Sequence, residues 1–221
     1  MNSILERTYE VCNNVRGNNP RIFISFKKLI GQLRKEFLQK NFDVKITIKK
    51  EKHLIQSEFY VMAYYDNDAD DQGDTSIEIV VHHNFSKDEM FGRQQITELL
   101  TEIYDATVHE HRHQHQSRSR NYKSYSEHSQ TPYSKYLSDP DELDAYALSI
   151  AIELLRSVGE QKSKIYMTRI SVLSRRRNGF RYASPNLNAY IKCFGFNFLV
   201  RRLAKKIYKY LEILDKRYIF L

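Results

Sequence analysis

From Arg93 onward the apolar residues Ile96, Leu99, Leu100, Ile103 and Ala106 recur at spacings of three and four, and they lead straight into His109-Glu110-His111-Arg112-His113. That recurrence puts one apolar stripe on a helix, and the stripe must be covered for the chain to fold. At about 100° per residue, His109 and His113 fall together at one edge of the stripe, and Glu110 falls within it. Two imidazoles one turn apart on one face can reach a single metal ion. A carboxylate beside them can take a proton from water. The stripe aims this set at the interior or at a cleft floor, where a low dielectric strengthens a cation's pull on its ligands.

His111 and His115 repeat the four-residue spacing, and the run HEHRHQHQSRSR is compositionally biased. A histidine-rich tract also suits a solvated helix end or a loose metal-binding segment. Only the first pair has a glutamate directly after its first histidine and lies beside the stripe; the second faces elsewhere.

A catalytic zinc site usually has three protein ligands and one open position. Downstream lies Asp139-Pro140-Asp141-Glu142-Leu143-Asp144-Ala145-Tyr146-Ala147. Asp139 before Pro140 is a helix start, and Leu143, Ala147, Ile150 and Leu154 trace one apolar face, so a helix is predicted from about Pro140 to Ser157. Glu142 lies on a neighbouring face, away from the leucines, where it can reach a metal. It is also the third helical residue after the cap, where a carboxylate closes a capping box and the helix dipole favours negative charge. Asp141 and Asp144 are weaker ligand candidates.

His-Glu-x-x-His at 109–113, a spacer of 28 residues, and a second helix opening with Glu142-x-x-Ala145 resemble the gluzincin zinc metallopeptidases. The segment from Pro140 to Ala147 is similar to the glutamate helix of small intracellular and phage-encoded members. The resemblance covers about fifty residues, from the metal helix to the glutamate helix. It implies zinc (Zn2+) bound by His109, His113 and Glu142, Glu110 as general base, and hydrolysis of peptide bonds in a protein or peptide substrate. Such enzymes also use a downstream His, Tyr or Arg on the oxyanion. No histidine follows His128, and Tyr122, Tyr125, Tyr133, Tyr136, Arg181 and Tyr182 are too many candidates to choose among.

Upstream, Phe23, Phe26, Leu29, Ile30, Leu33 and Phe37 have helical spacing, ending near Asn41. Phe42, Val44, Ile46 and Ile48 alternate with polar residues as a half-buried strand; Phe59 to Tyr65 gives a second strand, and Ile77, Ile79 and Val81 a third. Asp66 to Asp74 has the acidity of a calcium loop, but the sixth position is not glycine and Ile77 holds the twelfth, so it reads as a solvated hairpin loop. The order predicts an α+β chain. By the resemblance, residues 1–158 are a zincin-like catalytic domain whose three-stranded or larger sheet packs on the metal-binding helix. Residues 159–221 are then a basic, mainly helical C-terminal extension. The third strand, Ser76–His83, is either the sheet edge to which an extended substrate adds or a strand paired only within the sheet. Gln116 to Ser138, almost without aliphatic residues, reads as a solvated loop or a lid.

Charge is uneven. Residues 155–221 hold 16 Lys and Arg against 3 acids, a balance of +13, while the whole chain carries +8. A nucleic acid, a membrane surface or another anionic assembly is the partner such a segment suits, although a solvated basic face is the plain alternative. Arg175-Arg176-Arg177 reads as a basic turn, and the apolar residues from Leu187 to Leu214 predict one or two amphipathic helices. No run of eighteen apolar residues occurs and the first residues lack a secretory pattern, which leads to an expectation of no transmembrane segment and a cytoplasmic place, with a viral or phage source open. Two cysteines, Cys12 and Cys193, suit reduced thiols. The reading from another class is a non-enzymatic structural or nucleic-acid-associated protein that uses its basic C-terminal third.

Overall fold

The computed structural model describes residues 2–18, 23–86, 89–123, 132–175, 180 and 182–220. It is an α+β structure dominated by helix, with two small sheets, and it divides into two compact units, residues 1–122 with 220–221 and residues 123–219. The boundary expected after Val158 coincides instead with a break inside one helix, at Gly159.

The first unit opens with α1 (Asn2–Gly17), which buries Leu5, Thr8, Val11, Cys12 and Val15. A short strand β1 (Ile24–Ser25) leads into α2 (Phe26–Gln39). Phe26, Leu29, Ile30, Leu33 and Phe37 are its buried face, as their spacing requires, and together they contribute on the order of 10 kcal/mol of gross apolar burial. Asn41, at φ 50°, turns the chain into β2 (Val44–Lys50). Then follow β3 (Phe59–Tyr65), α3 (Asn67–Gln72), β4 (Ile77–His83), β5 (Met90–Phe91) and α4 (Arg93–Ser119).

The main sheet has the order β2-β4-β3, with β2 parallel and β3 antiparallel to β4. β4 is therefore the central strand, and of the two readings of Ser76–His83 the free edge is excluded and the strand paired within the sheet holds: β4 has a partner on each side. Its burial is near-continuous, as a central strand needs. β1 pairs with β5 in a separate two-stranded ribbon. Phe26, Phe85 and Phe91 pack with ring centroids 4.7–5.5 Å apart beside it.

α4 buries Ile96, Leu99, Leu100, Ile103, Tyr104 and Val108 and packs on α1, β3 and β4. The Gln95 side chain accepts from the Gly92 amide at its start (3.0 Å). The helix reaches Ser119, so the beginning of the expected loop is helical. Residues 124–131, with Tyr125 and His128, and most of the basic turn (176–179 and 181) lie outside the described residues. The Asp66–Asp74 segment is also more than a solvated loop. Asp66 caps α3 by accepting from the amides of Asp68 and Ala69, Gly73 ends it at φ 79°, and Asp70 is buried.

The second unit is helical: α5 (Tyr133–Ser138), α6 (Pro140–Thr168), α7 (Ile170–Leu173), α8 (Pro185–Phe194) and α9 (Phe198–Ile213), then a 3-10 turn at Lys216–Tyr218. α6 begins as the sequence predicts, with Asp139 accepting from the Asp141 amide and Pro140 in the first turn. It packs mainly on α9. Gly159, at φ 75° and ψ 171°, interrupts it. Among the described residues no helix is long and apolar enough to cross a membrane.

Candidate metal centre

His109 and His113 lie on one face of α4, each partly buried. Their rings meet edge to face with centroids 4.9 Å apart, and the two Nε2 atoms are 3.2 Å from one another. At that distance one Nε2–H can donate to the other's lone pair. A cation that replaces the shared proton takes both lone pairs. Two ligands of a tetrahedral ion with bonds of about 2.0–2.1 Å stand about 3.3–3.4 Å apart, so the pair already has the spacing of two zinc ligands. Glu110, the residue between them in the motif, is buried.

Glu142 belongs to the second unit. It lies in the first turn of α6 and is buried. The Tyr190 hydroxyl donates to the Leu137 carbonyl (3.0 Å) just before that turn. Burial, followed by the nearby charges of Tyr146 and Glu142, pushes the Tyr190 hydroxyl far above its ordinary range, so it stays a neutral donor. Asp144, one of the weaker candidates, is engaged elsewhere: it accepts from Tyr210 Oη (3.0 Å) and pairs with Lys206.

His109, His113 and Glu142 form a group that could hold a metal ion, each offering a ligand atom within 4.8 Å of the others. Two neutral imidazole nitrogens and a carboxylate oxygen are a donor set that suits zinc. The second histidine pair does not converge. His111 is buried with Nδ1 3.0 Å from the Gln114 side-chain oxygen, while His115 is exposed with Arg112 3.2 Å away. Burial, and then the charge of Arg7, pushes the His111 imidazole down to about 4, so it is neutral at pH 7.

The polar surroundings of the C-terminal half of α4 are what the sequence did not disclose. Gln114 Nε2 donates toward Asp43 Oδ2 (3.2 Å), Asp70 Oδ1 (3.1 Å) and Ser76 Oγ (3.0 Å). Arg118 forks onto both Asp70 oxygens, at 2.9 Å and 2.5 Å, and the Tyr65 hydroxyl donates to Asp70 at 2.9 Å. Burial raises the Asp70 carboxyl, but Arg118, Tyr65 and Gln114 overcome it and hold the group below the usual carboxylate range. The only hint in the sequence was that Gln114 follows Glu110 by one turn, on a side of α4 that leaves the polar surface.

No protein-family model, curated protein or solved structure matches this chain.

Proposed function

We propose that this protein is a zinc-dependent peptidase of gluzincin type, with His109, His113 and Glu142 as ligands, Glu110 as general base, and unit one as the sheet-and-helix part of a zincin-like fold. The observation that carries the reading is the approach of the two Nε2 atoms to 3.2 Å with a Glu142 oxygen inside the same 4.8 Å group. A zinc ion held there acts as a Lewis acid toward water and toward the carbonyl of a bound amide. The chain's residues do the rest. The imidazoles bind as neutral ligands, and Glu142 contributes the negative charge that offsets part of the cation's. Glu110, directly after the first ligand, takes the proton from the attacking water and returns it to the departing amine nitrogen.

Two measurements test this together. Metal analysis of the purified chain is expected to find about one zinc per molecule, lost in His109→Ala. Glu110→Gln is expected to keep the zinc and to hydrolyse peptides about 10²–10⁴-fold more slowly. Native-rate hydrolysis by Glu110→Gln refutes the mechanism, and a zinc-free native protein that cannot be loaded refutes the site.

A further inference from the structure

The acids of the second unit are largely engaged. Asp144 is paired with Lys206, Glu160 with Lys164 and Lys216, and Asp215 with Arg217. Glu153 accepts from Ser184 and from Asn186. Four cations of α9 stand apart from this pairing. Arg201, Arg202, Lys205 and Lys209 are all exposed, and among the described residues none of them pairs with a carboxylate. At 100° per residue they occupy about 100° of the helix surface together with Phe198, and Glu212 is the one acid on that arc. Phe198 is 80% exposed. The Arg201 guanidinium lies 5.1 Å over the Phe196 ring, which holds it against the helix start.

The opposite face of α9 is spent. Val200, Leu203, Ile207, Tyr210 and Leu211 are buried, and the helix packs on α6. This separates two kinds of anionic partner. A helix that lies in a membrane surface inserts its apolar face among the lipids, and here that face is already covered within the unit. What remains outward is a row of charges about 12 Å long from Arg201 to Lys209, beginning at an exposed aromatic ring. Regularly spaced cations suit a polyphosphate backbone, and an exposed ring beside arginines suits stacking on bases.

We propose that the Arg201, Arg202, Lys205 and Lys209 face of α9 binds the phosphate backbone of nucleic acid without reading its sequence. This stands apart from the metal centre and survives its failure. The test is fluorescence polarisation of the full chain with labelled single strands of about 20 nucleotides and with duplexes of the same length. Four phosphate contacts give a slope of log affinity against log salt of about −3.6 on duplex and about −2.8 on single strand. Between 50 and 200 mM salt, duplex affinity is then expected to fall about 10²-fold. Replacing all four with Gln (R201Q, R202Q, K205Q, K209Q) removes that slope, and R202Q with K205Q removes about half of it. The comparison protein carries K27Q, K28Q and K35Q on α2, whose lysines are equally exposed, and it is expected to bind like the native chain. Binding of either strand form with this pattern supports the proposal. It is overturned if neither form binds at 50 mM salt, if the fourfold variant binds as the native does, if the α2 variant loses as much, or if poly-glutamate or anionic phosphatidylserine vesicles bind as tightly.

Discussion

Replacing Asp70 with alanine tests whether the polar cluster at the end of α4 holds the first unit together. Asp70 is 6% exposed and accepts from Arg118, Tyr65 and Gln114. Removing one partner of a fully buried ion pair costs roughly 3–5 kcal/mol, because the other charge is stranded. Here the Arg118 side chain is 53% exposed, so water recovers the guanidinium and that part of the cost shrinks to about 1 kcal/mol. Gln114 keeps Asp43 and Ser76 as acceptors. The Tyr65 hydroxyl loses its carboxylate, for about 1 kcal/mol more, and the truncated side chain leaves a void costing about the same. The total is about 3 kcal/mol. For a unit of 124 residues, with an unfolding entropy of about 2.1 cal/mol/K per residue, this lowers Tm by about 11 °C. Calorimetry of the native chain and of Asp70→Ala reads the shift, and Asp70→Asn, which keeps one acceptor, should show about half of it. Because the carboxyl is held low in the folded state, its stabilisation is complete above the unfolded value near 4 and is lost as pH falls through the folded value. The gap between native and Asp70→Asn should therefore close in strong acid. A Tm within about 2 °C of native for Asp70→Ala would show that the cluster is ornamental and that α4 is held by its apolar stripe alone.

Two further outcomes are expected. Gly159→Ala should destabilise the second unit by about 1–3 kcal/mol in urea melts, since φ 75° with ψ 171° is a region open essentially to glycine; nothing stands within 4 Å of the added Cβ, so the cost is backbone strain alone, and an unchanged midpoint would contradict it. Glu102, whose carboxylate accepts from the Val61 amide on the β3 edge (3.1 Å), is pushed up to about 7 by desolvation, partly offset by that bond, and then by Asp105 and Glu98. A folded value above the unfolded one means that stability is lost as pH rises from about 4.5 to about 7. Glu102→Gln should therefore be the more stable form above pH 7 and equal to native near pH 4. The residue is more than a third exposed, so the gain is about 1 kcal/mol or less, and denaturant melts at the two pH values would expose an opposite sign.

What could be read in advance followed periodicity. α2, β2, β3, β4, α4 and the start of α6 all carry a repeat of 3.6 or 2 strong enough to survive without knowledge of their neighbours. α1 is less plain: Thr8 interrupts the buried side formed by Leu5, Val11, Cys12 and Val15, with its Oγ1 donating to the Ile4 carbonyl (2.8 Å), and Cys12 Sγ donates to that of Leu100 (3.6 Å). The helical turn α3 has the composition of a solvated loop, because its stability comes from Asp70 pairing with Arg118, 48 residues away. Strand order was equally hidden. The parallel pairing of β2 with β4 needs the chain to pass over β3 first, and alternation within a strand says nothing of which strand will lie beside it. At the site, the histidine pair was legible from spacing and the glutamate from its resemblance to a family. The cluster on Gln114 was not, since its acceptors lie 38 to 71 residues upstream.

The polar cluster and the histidine pair belong to one physical problem. A helix held to a sheet by leucines and isoleucines can slide or rotate a little, because apolar burial has no direction. The N-terminal half of α4 is held that way, through Ile96, Leu99, Leu100 and Ile103. Beyond His113 the holding groups change to Gln114, Ser117 and Arg118, whose partners Asp43, Asn67, Asp70 and Ser76 sit where β2 and β4 begin and β3 ends. Hydrogen bonds of this kind weaken steeply when bent. They therefore fix the rotation and the height of α4 at the residue next to the second histidine. Two imidazoles that could hold one ion, with nitrogens about 3.3 Å apart, would gain most from such a restraint at their own end of the helix. On this view the conversion of α4 from an apolar to a hydrogen-bonded face at Gln114 is what makes the spacing of His109 and His113 a fixed property of the fold and not an average over a loose helix.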